Sequence, residues 1–263
     1  MKENFPLTIP TQYDITKIKY RVEVSNMNIL FLGNSLIFYN DMPAIFRDLA
    51  TAGGEDVTVE SLTKGSATIS HFACETDPLG IRTRELLAER RWDYVIIEPS
   101  RRITPYEDTV LAAETEAALT LQALAEAAGA KVALYAVWGN RTGIVRECVA
   151  EAPPRMPFVA DHPCTREDHE AFLRQVSHRI SAELGDVPVI EAGKAFERLI
   201  ARDCDIELYH TDLRHPSPAG SYLVACTVYA TLFGKPSSGI SYTYDLPCAG
   251  VLQRVADETV LGK

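Results

Sequence analysis

Apolar positions along this chain fall into two kinds of run. Residues 17–24, KIKYRVEV, alternate polar and apolar side chains strictly, the period of a strand with one wet face. Ser25 and Asn26 then suit a turn, and Met27–Gly33 (MNILFLG) is apolar almost throughout, as a strand covered on both faces must be. Segments 57–62, 92–98 (WDYVIIE), 131–138 (KVALYAVW) and 187–190 read as further buried strands. Between them lie helix signals. Segment 41–52 has an aspartate at the N-cap, a proline in its first turn and a glycine pair after its end. Segment 108–128 is rich in alanine and leucine and closes at Gly129, and 166–184 closes at Gly185. Segment 193–201 is a further helix, and 217–233 starts on a serine cap with Pro218 first and stops at Gly234. Its positions 222, 223, 226, 229, 230 and 233 have helical spacing and read as a core stripe. Segment 247–261 supplies a final helix.

Five buried strands alternating with helices predict an α/β fold, a parallel sheet with helices on both faces. The length of 263 residues suits a single domain, with residues 1–27 as an N-terminal extension and 235–263 as a C-terminal one. The alternating strand at 17–24 is expected at an edge, where it covers the sheet or leaves a homodimer open. Ligands of such sheets bind at the carboxyl ends of the strands, so the loops after Leu32, Leu62, Ile97 and Trp138 are where chemistry is sought. Segment 139–165 begins at one of those ends, holds four prolines and has no clear period. A connection that long reads as a lid that shapes the substrate site.

Composition narrows the function. With 36 acidic and 26 basic residues the formal net charge is -10, which repels nucleic acid. No apolar run is long enough to span a membrane, and residues 1–20 lack the apolar core of a signal peptide. The cysteines at 74, 148, 164, 204, 226 and 248 form no CxxC pair and read as reduced thiols. A cytoplasmic protein is expected. Cys164 and His169 lack the paired ligands of a zinc site, so neither a metal nor a cofactor is expected.

Three short motifs could carry chemistry. Gly33-Asn34-Ser35-Leu36 follows the first buried strand, where a serine hydroxyl points out of the sheet and its own N–H can face an oxyanion; alone, it is equally good turn chemistry. In Asp212-Leu213-Arg214-His215-Pro216, the proline keeps His215 out of a helix, and an aspartate three residues before a histidine can fix the ring's tautomer. Its plain alternative is a loop histidine near a helix N-terminus. Gly65, after the second strand, can let a backbone N–H approach a ligand, or be an ordinary turn glycine.

Taken together, serine after the first strand, glycine after the second and DxxH near the end match the block order of the SGNH (GDSL-like) hydrolase superfamily. The chain resembles that superfamily from about Ile29 to Gly234, and a bacterial branch of it through ILFLGNSLIFYND, WDYVIIE and LYHTDLRHPSPAGSYLVACTVYATLFG. The resemblance implies a flavodoxin-like three-layer α/β/α sandwich. It implies Ser35 as nucleophile, His215 as general base and then acid, Asp212 as its orienting partner, and the N–H groups of Ser35 and Gly65 as oxyanion donors. The superfamily's block-III asparagine is absent; Glu98-Pro99-Ser100 stands there. Glu98 can pair with Arg101 or Arg102, or stay protonated as a donor, or Asn34, Asn40 or Asn140 can supply the amide; the first is preferred because the arginines follow so closely. Asn34, Glu98, His71, Asn140 and Arg101 are candidates to line the site, His71 having a capping role as its alternative.

The expected reaction is ester hydrolysis through an acyl-enzyme, rising through weakly acidic pH as the histidine base becomes neutral. A small acyl group on a carbohydrate or similar polar alcohol is the expected substrate, from the resemblance and from Arg141, Arg146 and Arg155 in the lid segment. A glycan-binding protein without activity and an acyltransferase are the alternatives.

Overall fold

The computed structural model describes residues 26–100, 108–143 and 165–262. The expected strand at 17–24, Arg101, Arg102 and most of the lid segment lie outside the described residues.

The parallel strands are β1 (Met27–Gly33), β2 (Val57–Thr63), β3 (Tyr94–Ile97), β4 (Lys131–Tyr135) and β5 (Val189–Ile190), in the order β2-β1-β3-β4-β5. The order reverses between β1 and β3, which places the switch point, and with it the ligand crevice, at the carboxyl end of β1. Each strand divides its side chains between two cores. Ile29, Phe31, Ile96, Ala133 and Tyr135 face one layer, and Leu30, Leu32, Val95, Ile97, Val132 and Leu134 face the other. With both faces buried, the inner strands β1, β3 and β4 keep polar side chains to their first residues and read as apolar runs, whereas the edge strand β2 (VTVESLT) carries polar residues throughout.

On the first face lie α2 (Met42–Ala52), α7 (Ala192–Ile200), α8 (Pro218–Phe233) and α9 (Ala249–Val260); on the second lie α3 (Ile69–Ala73), α4 (Pro78–Glu89) and α5 (Asp108–Ala127). Helix α6 (Arg166–Glu183) contributes Leu173 to the first core and Val176 and Ile180 to the second. A one-turn helix α1 (Ser35–Phe38) directly follows β1. The fold is therefore the expected three-layer α/β/α sandwich.

The structure differs from the sequence reading in detail. Helix α8 is not an amphipathic stripe: Ala219 to Ala230 are all buried, because α2, α7 and α9 pack around it. Asp41 precedes α2 in a left-handed conformation and its side chain makes no cap bond. Helices α1, α3 and α4 are additions. The buried face of α4 carries Gly80 and Thr83 beside Leu86 and Leu87, so its apolar period is broken. Strand β4 stops at Tyr135 rather than at 138, since its neighbour β5 is only two residues long.

The start of α8 sits against the chain that carries His215. Ser217 N donates to Leu208 O, Ser217 Oγ to Glu207 O, and Ser217 Oγ accepts from Gly220 N. A Cβ on Gly220 would stand 2.3 Å from Leu208 O and 3.1 Å from Pro216 Cβ. Backbone there cannot yield without moving the loop, and overpacking of this kind costs about 1–3 kcal/mol. Gly220→Ala is expected to lower the denaturant midpoint accordingly; an unchanged midpoint would show that the loop gives way freely.

Candidate active site

The turn after β1 is fixed from several sides. Asn34 caps α1 through its side-chain oxygen, which accepts from Leu36 N at 3.0 Å, and its Nδ2 donates to Ala67 O in the loop after β2. Its backbone N–H donates to Glu98 Oε2 at 3.0 Å. Beneath the same helix, the buried Tyr135 hydroxyl donates to Leu36 O. Burial, reinforced by the charge of Glu98, pushes the Tyr135 phenol well above its ordinary value. Ser35 is the first residue of α1, so its N–H belongs to the first turn, which has no acceptor within the helix.

Residues 208–217 form a tight loop closed by Tyr209 pairing with Pro216 and by His210 N donating to His215 O. Leu213 takes φ 62 within it. That bend lets Asp212 Oδ1 accept from both Arg214 N and His215 N at 3.0 Å, while Oδ2 lies 2.5 Å from His215 Nδ1. The other ring nitrogen, Nε2, lies 2.8 Å from Ser35 Oγ. Burial raises the Asp212 carboxyl, but the bonds it accepts from the His215 ring and from the two backbone N–H groups outweigh this, and the group is held well below the usual carboxylate range. An ionised Asp212 requires Nδ1 to carry the proton, so a neutral ring presents Nε2 as acceptor to the Ser35 hydroxyl. The loop is braced from β4: Trp138 Nε1 donates to Arg214 O, Arg141 N to Leu213 O, and Arg141 pairs with Glu207.

The structure thus brings Ser35, Asp212 and His215 into one hydrogen-bonded chain. Gly65 stands close by, since Lys64 N donates to Gly33 O. It does not have the positive φ that favours glycine; its neighbour Ser66 does, at 63°. Among the described residues, a Cβ on Gly65 would meet no atom within 4 Å, so its missing side chain relieves no crowding against them.

Glu98 is buried under the turn, where Oε2 takes the Asn34 N–H. A Cβ on Gly33 would lie 2.6 Å from that oxygen, so the glycine is needed for this close approach. Asn40 Nδ2 donates to Pro216 O and Ser221 Oγ, which uses both hydrogens of that amide. Asn140 is buried in the loop after β4, beside Arg141. His71 joins the cap of α3: its Nδ1 accepts from Thr68 N at 3.2 Å. Cys74, Cys204, Cys226 and Cys248 are free thiols.

Two site residues escape a reading of the sequence. The Tyr39 ring lies on His215, with centroids 4.0 Å apart and planes 5° from parallel. Glu114, on α5, is fully buried and accepts from Ser100 N at 2.8 Å and Ser70 Oγ at 3.3 Å, joining the loop after β3 to α3. A signal for Glu114 exists: it falls in register with Leu111, Ala118 and Leu121, so an acid occupies the core face of its helix. Tyr39 has none, because its partner is remote in the chain.

The chain is similar in overall fold to several solved structures. A candidate SGNH hydrolase from Slackia heliotrinireducens is 26% identical, superposes with a TM-score of 0.57, and is matched over 79% of this chain and 99% of its own. A DUF4886 family protein from Bacteroides uniformis is 15% identical with a TM-score of 0.66, over 90% of this chain and 95% of that one. An acetyl xylan esterase is 11% identical with a TM-score of 0.51, over 78% and 100%. No family model and no curated protein matches the chain. These likenesses support an SGNH/GDSL-like superfamily member, and with it a hydrolase.

Two predictions follow from the loops around Ser35. Burial pushes the Glu114 carboxyl from 4.5 up to about 7, against the lowering effect of Ser100 N and Ser70. A raised acid stabilises the fold fully below its unfolded pKa, and that stability is lost as pH rises through the folded value. Glu114→Gln, which stays neutral, is expected to gain roughly 1–3 kcal/mol over wild type at pH 8 and nothing at pH 4, read by denaturant melts at both pH values. For Gly65, an added methyl group meets no atom of the described residues. Gly65→Ala is therefore expected to leave the melting temperature within a degree or so, a surface-substitution effect, while reducing substrate turnover; equal activity would remove Gly65 from the site.

Proposed function

We propose that this protein is a serine ester hydrolase that forms an acyl-enzyme on Ser35. The observation that carries the reading is the chain Asp212–His215–Ser35, with ring nitrogens at 2.5 and 2.8 Å from their partners. His215 Nε2 takes the hydroxyl proton as Ser35 Oγ attacks the ester carbonyl, and Asp212 stabilises the imidazolium that results. Collapse of the tetrahedral intermediate expels the alcohol, which receives that proton. Water then attacks the acyl-enzyme by the same route, with His215 again as base. The N–H groups of Ser35 and Gly65 are the oxyanion donors in this reading. Glu98 acts as a structural acceptor below the turn, not as the missing amide.

The substrate class is a small acyl group on a carbohydrate or similar polar alcohol. Support comes from the loops that carry the site, which hold polar and charged residues: Lys64 after β2, His210 and Arg214 beside His215, and the Arg141–Glu207 pair. Such loops suit a hydroxylated alcohol better than a long acyl chain. A cytoplasmic location also belongs to this proposal. Among the described residues, no helix is long and apolar enough to cross a membrane.

Purified protein is expected to release p-nitrophenol from the acetate ester faster than from the octanoate, and to remove acetyl groups from an acetylated sugar. Ser35→Ala should abolish turnover and fluorophosphonate labelling, and Asp212→Asn should lower kcat by about 10²–10⁴. Transfer of the acyl group to added alcohols in preference to water would make it an acyltransferase. Identical behaviour of wild type and Ser35→Ala would leave only a binding role.

A further inference from the structure

Tyr39 joins the two halves of the site through both its backbone and its ring. Its N–H donates to Ser35 O and closes the helix that begins with the serine. Its carbonyl accepts from Ser221 Oγ on α8. The ring lies flat on the His215 imidazole, at 4.0 Å and 5°. Phe38 stacks beside it at 6.2 Å, and His210 meets its ring at 5.6 Å and 72°. The following residue, Asn40, adopts φ 55 and ties the same segment to Pro216 O, next to the histidine.

We infer that Tyr39 is a positioning residue for the histidine base, and that its aromatic face, not its hydroxyl, is what matters. The inference rests on the esterase reading. In the free enzyme, His215 is held in plane by Asp212 at one nitrogen and by Ser35 at the other. Once Ser35 Oγ is esterified it has no proton to donate, and the second of these bonds is gone. The ring must nevertheless keep Nε2 aimed at the acyl carbon to activate water. Asp212 then fixes one edge of the ring, and the Tyr39 face fixes its plane. An aromatic face also stabilises the imidazolium formed in each half-reaction, by its quadrupole. The deacylation half should therefore depend on Tyr39 more than the acylation half.

The test compares Tyr39→Phe and Tyr39→Leu with wild type on p-nitrophenyl acetate, with fluorophosphonate labelling of Ser35 as a second readout. Tyr39→Leu is expected to lower kcat about five- to tenfold and KM with it, leaving kcat/KM less affected, and to show a burst of p-nitrophenol before the slower steady state. Tyr39→Phe should keep most of the wild-type kcat, and melting temperatures report that all three are folded. Equal kcat for Tyr39→Leu and wild type would overturn the inference while leaving the esterase reading intact, as would a Phe variant as impaired as the Leu one. If wild type is labelled but releases no acyl group, the esterase reading fails, and the inference about Tyr39, which concerns water attack on the acyl-enzyme, falls with it. A wild-type Ser35 that neither reacts nor turns over rejects both.

Discussion

The 2.8 Å contact between Ser35 and His215 joins residues 180 positions apart, and it exists only because two loops are held at the same edge of the sheet. Neither hydrogen bond to the imidazole is strong enough to set a loop's position; a net bond of this kind contributes about 1 kcal/mol. The loops must be placed first, by the sheet. Strand β1 is an inner strand of the sheet with β2 and β3 on either side, so its carboxyl end cannot shift without disturbing both cores. The His215 loop is placed instead by α8, whose N-terminus is buried against it, and by Trp138 at the end of the β4 segment. Ser35 and His215 thus inherit their geometry from the least deformable part of the molecule.

Polar side chains buried at the sheet edge complete this placement. Glu98 and Tyr135, from the ends of β3 and β4, take up Asn34 N and Leu36 O from below. Glu114 reaches across from α5 to hold Ser100 N and Ser70 Oγ. Buried carboxyls are costly unless bonded, and each of these two accepts a backbone N–H next to the site, Glu98 from Asn34 and Glu114 from Ser100. A glutamate where the superfamily has an asparagine therefore need not face the oxyanion. It can serve the turn that presents the serine, with the Gly33 approach making room for it.

How much of this is legible in the sequence depends on the range of the interaction. MNILFLG declares its strand to the residue, because burial on both faces from Ile29 onward confines the one polar side chain, Asn28, to the half-buried start of the run. Asp212 and His215 are legible as a pair since three residues and a proline determine their relation locally. The Ser217 cap and Gly234 stop bound α8 correctly for the same reason. Helix α4 is hidden by the glycine and threonine on its buried face, and burial of α8 on all sides depends on α9, far along the chain. Glu98 is read from its neighbours Arg101 and Arg102, which lie outside the described residues, whereas its bond to Asn34 reaches 64 positions along the chain. Tyr39 is the extreme case: nothing in IFYND marks a ring that will lie on a histidine from the other end of the chain.

Leu213 shows how local strain is put to use. A β-carbon makes the left-handed region costly by roughly 1–2 kcal/mol, and leucine has no polar side chain to offset it. Yet φ is 62 at this position, between the aspartate and the histidine. An extended residue there would carry Asp212 away from the two N–H groups it now accepts, and Oδ2 away from the ring. Two backbone bonds hold the strained residue, Leu213 N to His210 O and Arg141 N to Leu213 O. The second comes from the loop after β4, so the bend depends on a segment that also borders the site. Strain of this kind persists only where its surroundings over-determine it. Here the bonds from Trp138, Arg141, Ser217 and Asn40 all converge on one ten-residue loop, and what they fix in common is the direction of a single imidazole.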